Sequence, residues 1–198
     1  MNNNIVIGIS GKKMSGKSTV AEIIKSIYPN TLIFNFGDAV KESLKPIFDF
    51  TDEELYGKDK EKINEYWNIT PREIMQFYAT ELMRIELSKK FKEIGTDLWV
   101  KCVEKKIIKA LNENKNCIIL LADVRFKNEY EFVKKYNGIT LNIVRQTNNL
   151  HNQFEDHKSE NDLQNENFDF TIFNNGGMIN LRMSTYEFLH DLNIEIPE

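Results

Sequence analysis

Short apolar runs and amphipathic stretches alternate along the chain. Ile5-Val6-Ile7-Gly8-Ile9 is apolar without interruption, as expected of a strand covered on both faces. Thr19-Val20-Ala21-Glu22-Ile23-Ile24 then has a helical pattern. Thr31 to Phe36 predicts a second strand and Ala39 to Ile47 a helix, with Gly37-Asp38 as its start signal and Pro46 near its end. Residues 49–68 are charged and poorly periodic, which predicts a long loop or lid-like excursion. Helices are predicted over 71–91 and 97–112. A buried strand is predicted over Cys117 to Ala122, closed by Asp123, then a helix over 127–136 and a strand over 140–144. Residues 146–167 are polar and nearly devoid of apolar side chains; so long a connection predicts a lid. A last strand over 168–173 and a helix over 178–190 complete the pattern.

Strands alternating with helices predict an α/β fold, a mostly parallel sheet with helices on both faces. Ligands in such sheets bind beyond the carboxyl ends of the strands. Gly11, Asp38, Asp123 and Arg145 all fall at such ends, so the candidate polar residues are expected to converge in one cleft. There is no internal repeat, and the reading is a single domain over 1–198. With 41% hydrophobic residues among 198, the chain can build a core; its net charge of −4 argues against a field that recruits nucleic acid or an anionic membrane. Two cysteines make neither a disulfide framework nor a metal site, and Cys117 reads as a small buried hydrophobe. No leader precedes the first strand and no run approaches membrane-spanning length, so the expectation is a cytoplasmic protein, with a homodimer left open.

The sharpest chemical signal is Gly11-Lys12-Lys13-Met14-Ser15-Gly16-Lys17-Ser18, which fits the phosphate-binding P-loop, G-x-x-x-x-G-K-[ST], between a strand and a helix. Gly11 and Gly16 let the backbone curl so that several N–H groups point at phosphate oxygens. The helix beginning near Gly16 adds its positive end. Lys17 is expected to reach the β- and γ-phosphates of ATP, and the Ser18 hydroxyl to ligate Mg²⁺; Lys13, Met14, Ser15 and Thr19 complete the stretch.

A second signal lies on the helix from Pro71. Thr70-Pro71 supplies a capping hydroxyl and then proline at the first helical position. At about 100° per residue, Ile74, Phe77, Tyr78, Leu82 and Ile85 share one face. Arg72, Gln76 and Thr80, four apart, fall on another, suited to a phosphate and a base edge, or else form a solvated face. Glu81 lies within the apolar face and is expected to be paired. Asp123 stands where an acidic residue sits near Mg²⁺, or accepts hydrogen bonds from substrate; Arg125 is placed to neutralise a phosphate. The alternative there is a helix cap and a surface arginine. Trp99 stacks on a base or packs in the core. Lys41, one turn after Asp38, reaches a phosphate or is solvated. Arg145 meets ATP phosphates or the base, and His157 reads as a loop residue.

With these residues in view, the chain resembles the deoxynucleoside monophosphate kinases of bacteriophages and large DNA viruses. The resemblance covers most of the chain. It rests on Gly11 to Thr19, Phe36 to Glu42, Thr70-Pro71-Arg72 with Gln76 and Thr80, Asp97-Leu98-Trp99, and Asp123-Val124-Arg125-Phe126 with Asn128-Glu129. His157 to Glu160 and Asn174-Asn175-Gly176 complete it. It implies a P-loop kinase fold with a helical substrate-binding insertion, here about 49–113, and transfer of the γ-phosphoryl of ATP to a deoxynucleoside monophosphate. It further implies that Arg72, Gln76 and Thr80 hold the monophosphate, with Trp99 near the base and Asp38 and Lys41 on the substrate side. Asp123, Arg125 and Glu129 would complete the acceptor side. Some relatives have a basic residue in place of Glu73 and a glycine in place of Ala79, which leaves the choice of base open.

Two rivals remain. One is a P-loop kinase for another small acceptor such as phosphomevalonate. The other is a nucleotide-switch protein, which expects a guanine-specifying Asn-Lys-x-Asp; Asn114-Lys115-Asn116 is followed by Cys117.

Overall fold

The computed structural model describes residues 4–114, 116–146, 162–163 and 165–194. Most of the expected lid, with His157 to Glu160, lies outside the described residues. The chain divides into two compact units, Met1–Asn35 with Ile107–Glu198, and Phe36–Lys106.

The first unit is built on five strands: β1 (Ile5–Ser10), β2 (Thr31–Phe34), β3 (Ile118–Val124), β4 (Ile139–Val144) and β5 (Phe170–Phe173). All pair in parallel, in the order β2-β3-β1-β4-β5. β1 and β3 are central and almost wholly buried, which is why both read as unbroken apolar runs. Successive side chains point to opposite faces. Ile7 and Ile9 of β1, Ile118 and Leu120 of β3, and Leu141 and Ile143 of β4 join one core with α1 (Lys17–Ile27) and α8 (Gly177–Asp191). Each such side chain, fully buried, contributes about 1.5–3 kcal/mol of hydrophobic stabilisation. On the other face Gly8 lies beneath α7 (Lys127–Lys135): a Cβ on Gly8 would come 2.5 Å from Val133 Cγ2. Helices therefore cover both faces. β1 sits between β3 and β4, where the strand order reverses, so its carboxyl end opens at the switch point where such sheets bind ligands.

The second unit contains α2 (Asp38–Phe48), α3 (Asp52–Leu55), a 3₁₀ turn (Asp59–Glu61), α4 (Pro71–Gln76), a π-helix (Phe77–Glu86), α5 (Leu87–Lys90) and the first part of α6 (Leu98–Glu113). This unit contains most of the helical insertion expected at about 49–113. Val40 and Leu44 of α2 build their own small core with Trp99, Ile74, Tyr78 and Met83, so the unit starts at Phe36 rather than near residue 49. The excursion expected over 49–68 is also structured: a Thr51–Glu54 capping box opens α3, and Asn64 pairs with Ile69 in a bridge.

The helix from Pro71 departs from expectation in its middle. Phe77, Leu82 and Ile85 are exposed, whereas Ile74, Met75, Tyr78, Ala79 and Met83 pack inward. The cause is the π-helix, whose i→i+5 bonding widens the turn beyond the 3.6 residues of an α-helix. Buried positions then recur every four or five residues. Glu81 is exposed, so the cost anticipated for burying its carboxylate does not arise.

Candidate functional site

The loop between β1 and α1 carries unusual backbone geometry. Gly11 has φ +144°, Gly16 has φ +110°, and Met14, an exposed non-glycine residue, has φ +62°. At Gly11 a side chain would collide with the carbonyl oxygen of Ile143 in β4 and lie 2.6 Å from Ser15 Oγ. At Gly16 it would lie 2.6 Å from Asn174 Nδ2. Both glycines are thus required by backbone angle and by close approach. Lys17, only 9% exposed, folds back so that Nζ donates to the carbonyls of Gly11 (2.6 Å) and Lys12 (3.0 Å). Ser15 is 3% exposed, and its Oγ is a buried side-chain oxygen with no hydrogen-bond partner among the described residues.

These features fit a phosphate. An orphaned buried hydroxyl has a donor to give, and the glycine cradle admits an anion where Cβ atoms would intrude. α1 has no side-chain cap bond and no acidic residue in its first turn, so its positive end is uncompensated. Ser18 is exposed at that end, with Thr19 half-buried and Lys13 exposed. Mg²⁺ at a phosphate site takes one or two protein ligands and completes its shell with phosphate and water. The Ser18 hydroxyl and the half-buried Asp123 carboxylate suit that requirement.

The ends of the strands beside β1 carry the next residues. Asp123 is the second-to-last residue of β3, and its Oδ1 accepts from Arg125 Nε at 2.6 Å. Glu129, 2% exposed, turns its Oε2 back to the amides of Arg125 (2.9 Å) and Phe126 (3.2 Å). That carboxylate shapes the strand-to-helix turn carrying Arg125. Arg145 is exposed just past β4. Asn174, after β5, donates through Nδ2 to Ser15 O (2.8 Å), and its own amide donates to Val144 O (2.8 Å). Asn175 takes the Gln146 amide at 2.9 Å. The β5–α8 loop thereby braces the P-loop, a role for Asn174 that sequence reasoning did not assign.

In the second unit, Thr70 and Glu73 form a full capping box, with Thr70 Oγ1 accepting from Glu73 N and the Glu73 carboxylate returning to Thr70. Those hydrogen bonds from the Thr70 hydroxyl and amide hold the Glu73 carboxyl below the usual carboxylate range. Arg72 follows the cap and pairs through Nε with Glu61 at 2.5 Å. Gln76 is half-buried and Thr80 buried. Arg84, also spaced by four and 7% exposed, extends this row; a count of Arg72, Gln76 and Thr80 carried one step further finds it. Arg84 Nη1 lies 3.5 Å from the Thr96 carbonyl. Of the two roles open to Trp99, the structure shows packing in the core: it is 5% exposed, and its Nε1 donates to Ala79 O at 3.0 Å. Asp38 opens α2 and lies 3.7 Å from Lys41, whose ammonium sits 4.3 Å over the Tyr56 ring. Burial, then the charges of Asp38 and Glu42, push the Tyr56 hydroxyl up.

Among the described residues no helix is long and apolar enough to cross a membrane, and no group of three or more His, Cys, Asp or Glu is placed to hold a metal unaided. The model of the deoxynucleotide monophosphate kinase family matches residues 45–184. A protein of Acanthamoeba polyphaga mimivirus, bearing a provisional deoxynucleotide monophosphate kinase name, is 30% identical over 147 residues, 71% of this chain and 74% of its own. Among solved structures, a dephospho-CoA kinase from Campylobacter jejuni aligns with TM-score 0.52 at 15% identity, over 96% of this chain and 97% of that one. The Deinococcus radiodurans tunicamycin resistance protein aligns with TM-score 0.54 at 11% identity, over 99% of both. At such identities these two speak for the fold alone, a P-loop kinase fold. The family match and the mimivirus relative show more: the chain belongs to the deoxynucleotide monophosphate kinase family.

Proposed function

We propose that this protein transfers the γ-phosphoryl of ATP to a deoxynucleoside monophosphate, giving ADP and the diphosphate. The carrying observation is the P-loop itself: Ser15 Oγ buried without a partner, beside a buried Lys17, in a glycine cradle that a side chain would fill. Family membership directs the choice of acceptor.

In this reading Lys17 exchanges its loop carbonyls for phosphate oxygens, and the loop amides hold the β-phosphate. Lys17, Arg125 and Arg145 offset the charge that spreads over the transferred group. Asp123 fixes the Arg125 guanidinium, and Glu129 acts as a positioning residue by shaping the backbone beneath it. Mg²⁺, bound through Ser18 and Asp123, would neutralise charge between the β- and γ-phosphates. Arg72, Gln76 and Thr80, with Asp38 and Lys41, take the acceptor. The buried Trp99 serves by packing α2 against the helix that carries Arg72. The acceptor is already an anionic phosphate, so no strong general base is needed.

The test is ADP release from ATP–Mg²⁺ against a panel of deoxynucleoside monophosphates, nucleoside monophosphates and phosphomevalonate, with a no-acceptor control. Turnover with one or more deoxynucleoside monophosphates is expected. Turnover confined to phosphomevalonate, or ADP release indifferent to acceptor, would overturn the reading.

A further inference from the structure

Arg72 is pinned at two levels. The Thr70–Glu73 capping box and Pro71 fix its backbone at the second helical position of α4. Glu61, eleven residues earlier in the 3₁₀ turn, fixes its side chain through Nε at 2.5 Å. A guanidinium is a rigid fork with five N–H donors. With Nε on Glu61, Nη1 and Nη2 make no hydrogen bond among the described residues, and the side chain is 25% exposed. The edge left open is the one that grips two oxygens of a phosphate in parallel.

We propose that Glu61 is a positioning residue for the acceptor phosphate: it holds Arg72 so that the Nη1–Nη2 edge is presented ready for a bidentate grip. This rests on the reading of Arg72 as the residue that binds the monophosphate. An untethered arginine must freeze several rotatable bonds on binding; one already held loses less freedom. Glu61 itself does not touch the substrate. Its charge partly offsets that of Arg72, so its value lies in geometry rather than in added attraction.

The experiment compares wild type with Glu61→Ala, Arg72→Ala, the double variant and Glu61→Gln. Calorimetry gives the Kd for each of the four common deoxynucleoside 5′-monophosphates, and steady-state kinetics give KM and kcat for whichever are turned over. Arg72→Ala is expected to weaken acceptor binding about a hundredfold. Glu61→Ala should weaken it about tenfold, with kcat and the KM for ATP nearly unchanged. In the Arg72→Ala background Glu61→Ala should add nothing, because it acts through Arg72. Glu61→Gln, whose amide oxygen still accepts the Nε–H, should stay within about threefold of wild type. Glu61 is 45% exposed, so the variants should retain the wild-type circular dichroism. Glu61→Ala within twofold of wild type, tighter binding in that variant, or an undiminished effect without Arg72 would each overturn the inference. If Arg72→Ala leaves acceptor affinity unchanged, the assignment of Arg72 fails first and takes the inference with it.

Discussion

Three glycines separate backbone strain from collision. Gly37 has no atom within 4 Å of its absent Cβ and a φ of −76° that any residue adopts. Gly177 has φ +82° and equally open space. Gly11 has φ +144° and, where its Cβ would be, the Ile143 carbonyl oxygen and Ser15 Oγ, the latter at 2.6 Å. Alanine at Gly37 should therefore change stability by less than about 0.5 kcal/mol. At Gly177 the strain alone should cost about 1–3 kcal/mol. At Gly11 the colliding carbonyl belongs to β4, hydrogen-bonded between β1 and β5, and cannot retreat. Overpacking adds about 1–3 kcal/mol to the strain, for a total of about 2–6 kcal/mol. At about 2–4 °C per kcal/mol for a chain of this size, Gly11→Ala should lower Tm by about 4–24 °C. Urea titrations and thermal melts of the three variants measure the order, and ATP affinity by calorimetry should collapse only for Gly11→Ala. A Gly11→Ala protein with wild-type Tm and nucleotide affinity would refute the loop geometry and the phosphate cradle argued from it.

Lys17→Ala should cut ADP release at least about a hundredfold while circular dichroism is retained. It also leaves the Gly11 and Lys12 carbonyls without their donor, at about 1–2 kcal/mol, so a small fall in Tm should accompany it. Thr70→Ala removes the cap of α4 and should cost about 1 kcal/mol, read as a shift in the urea midpoint. Asp169 carries a pH signature. Burial opposes its ionisation, but Lys134 and the amide and hydroxyl of Thr140 prevail and hold its carboxyl below the ordinary value. A depressed carboxylate stabilises the fold at pH values above its unfolded pKa of about 3.9, and that contribution is lost as pH falls through the folded pKa. Asp169→Asn should therefore be less stable than wild type at pH 7, with the gap narrowing as both are titrated below about pH 4.

The strands and most helices were legible because their signals are local. β1 and β3 read as apolar runs and β4 as a strand, and all three end within two residues of expectation. Thr70-Pro71 marked a helix start that proved to be a complete capping box. The π-helix left no such signal: nothing in Phe77 to Glu86 distinguishes it from an α-helix by propensity, and a 3.6-residue period assigned Phe77, Leu82 and Ile85 to the wrong side. Trp99 was ambiguous for a different reason, since an indole suits a core and a base equally well until its Nε1 partner is known. The division at Phe36 depends on whether Val40 and Leu44 face the sheet or Trp99, a tertiary choice that amphipathicity does not encode. Glu61 and Asn174 were hidden because their partners lie 11 and 159 residues away.

The P-loop can be argued as functional without appeal to its motif. Elsewhere in the first unit no buried side-chain polar atom among the described residues lacks a partner, and Asp169, Thr140 and Lys134 satisfy one another. Between Gly11 and Lys17 several departures occur together. Three residues adopt positive φ, a buried hydroxyl has no partner among the described residues, and a buried ammonium rests on main-chain carbonyls. The orphaned hydroxyl and the buried ammonium are both satisfied by one event, the arrival of an anion with several oxygens, which the glycine backbone leaves room to admit. The surroundings hold the loop in that state rather than letting it relax. β4 blocks Gly11 from behind, and Asn174 ties down the Ser15 carbonyl. If the bracing is what keeps the donors aimed, Asn174→Ala should weaken ATP binding while leaving acceptor affinity untouched, as calorimetry with each nucleotide measures. Equal loss of both would mean that Asn174 supports the fold at large and that the loop holds its shape unaided.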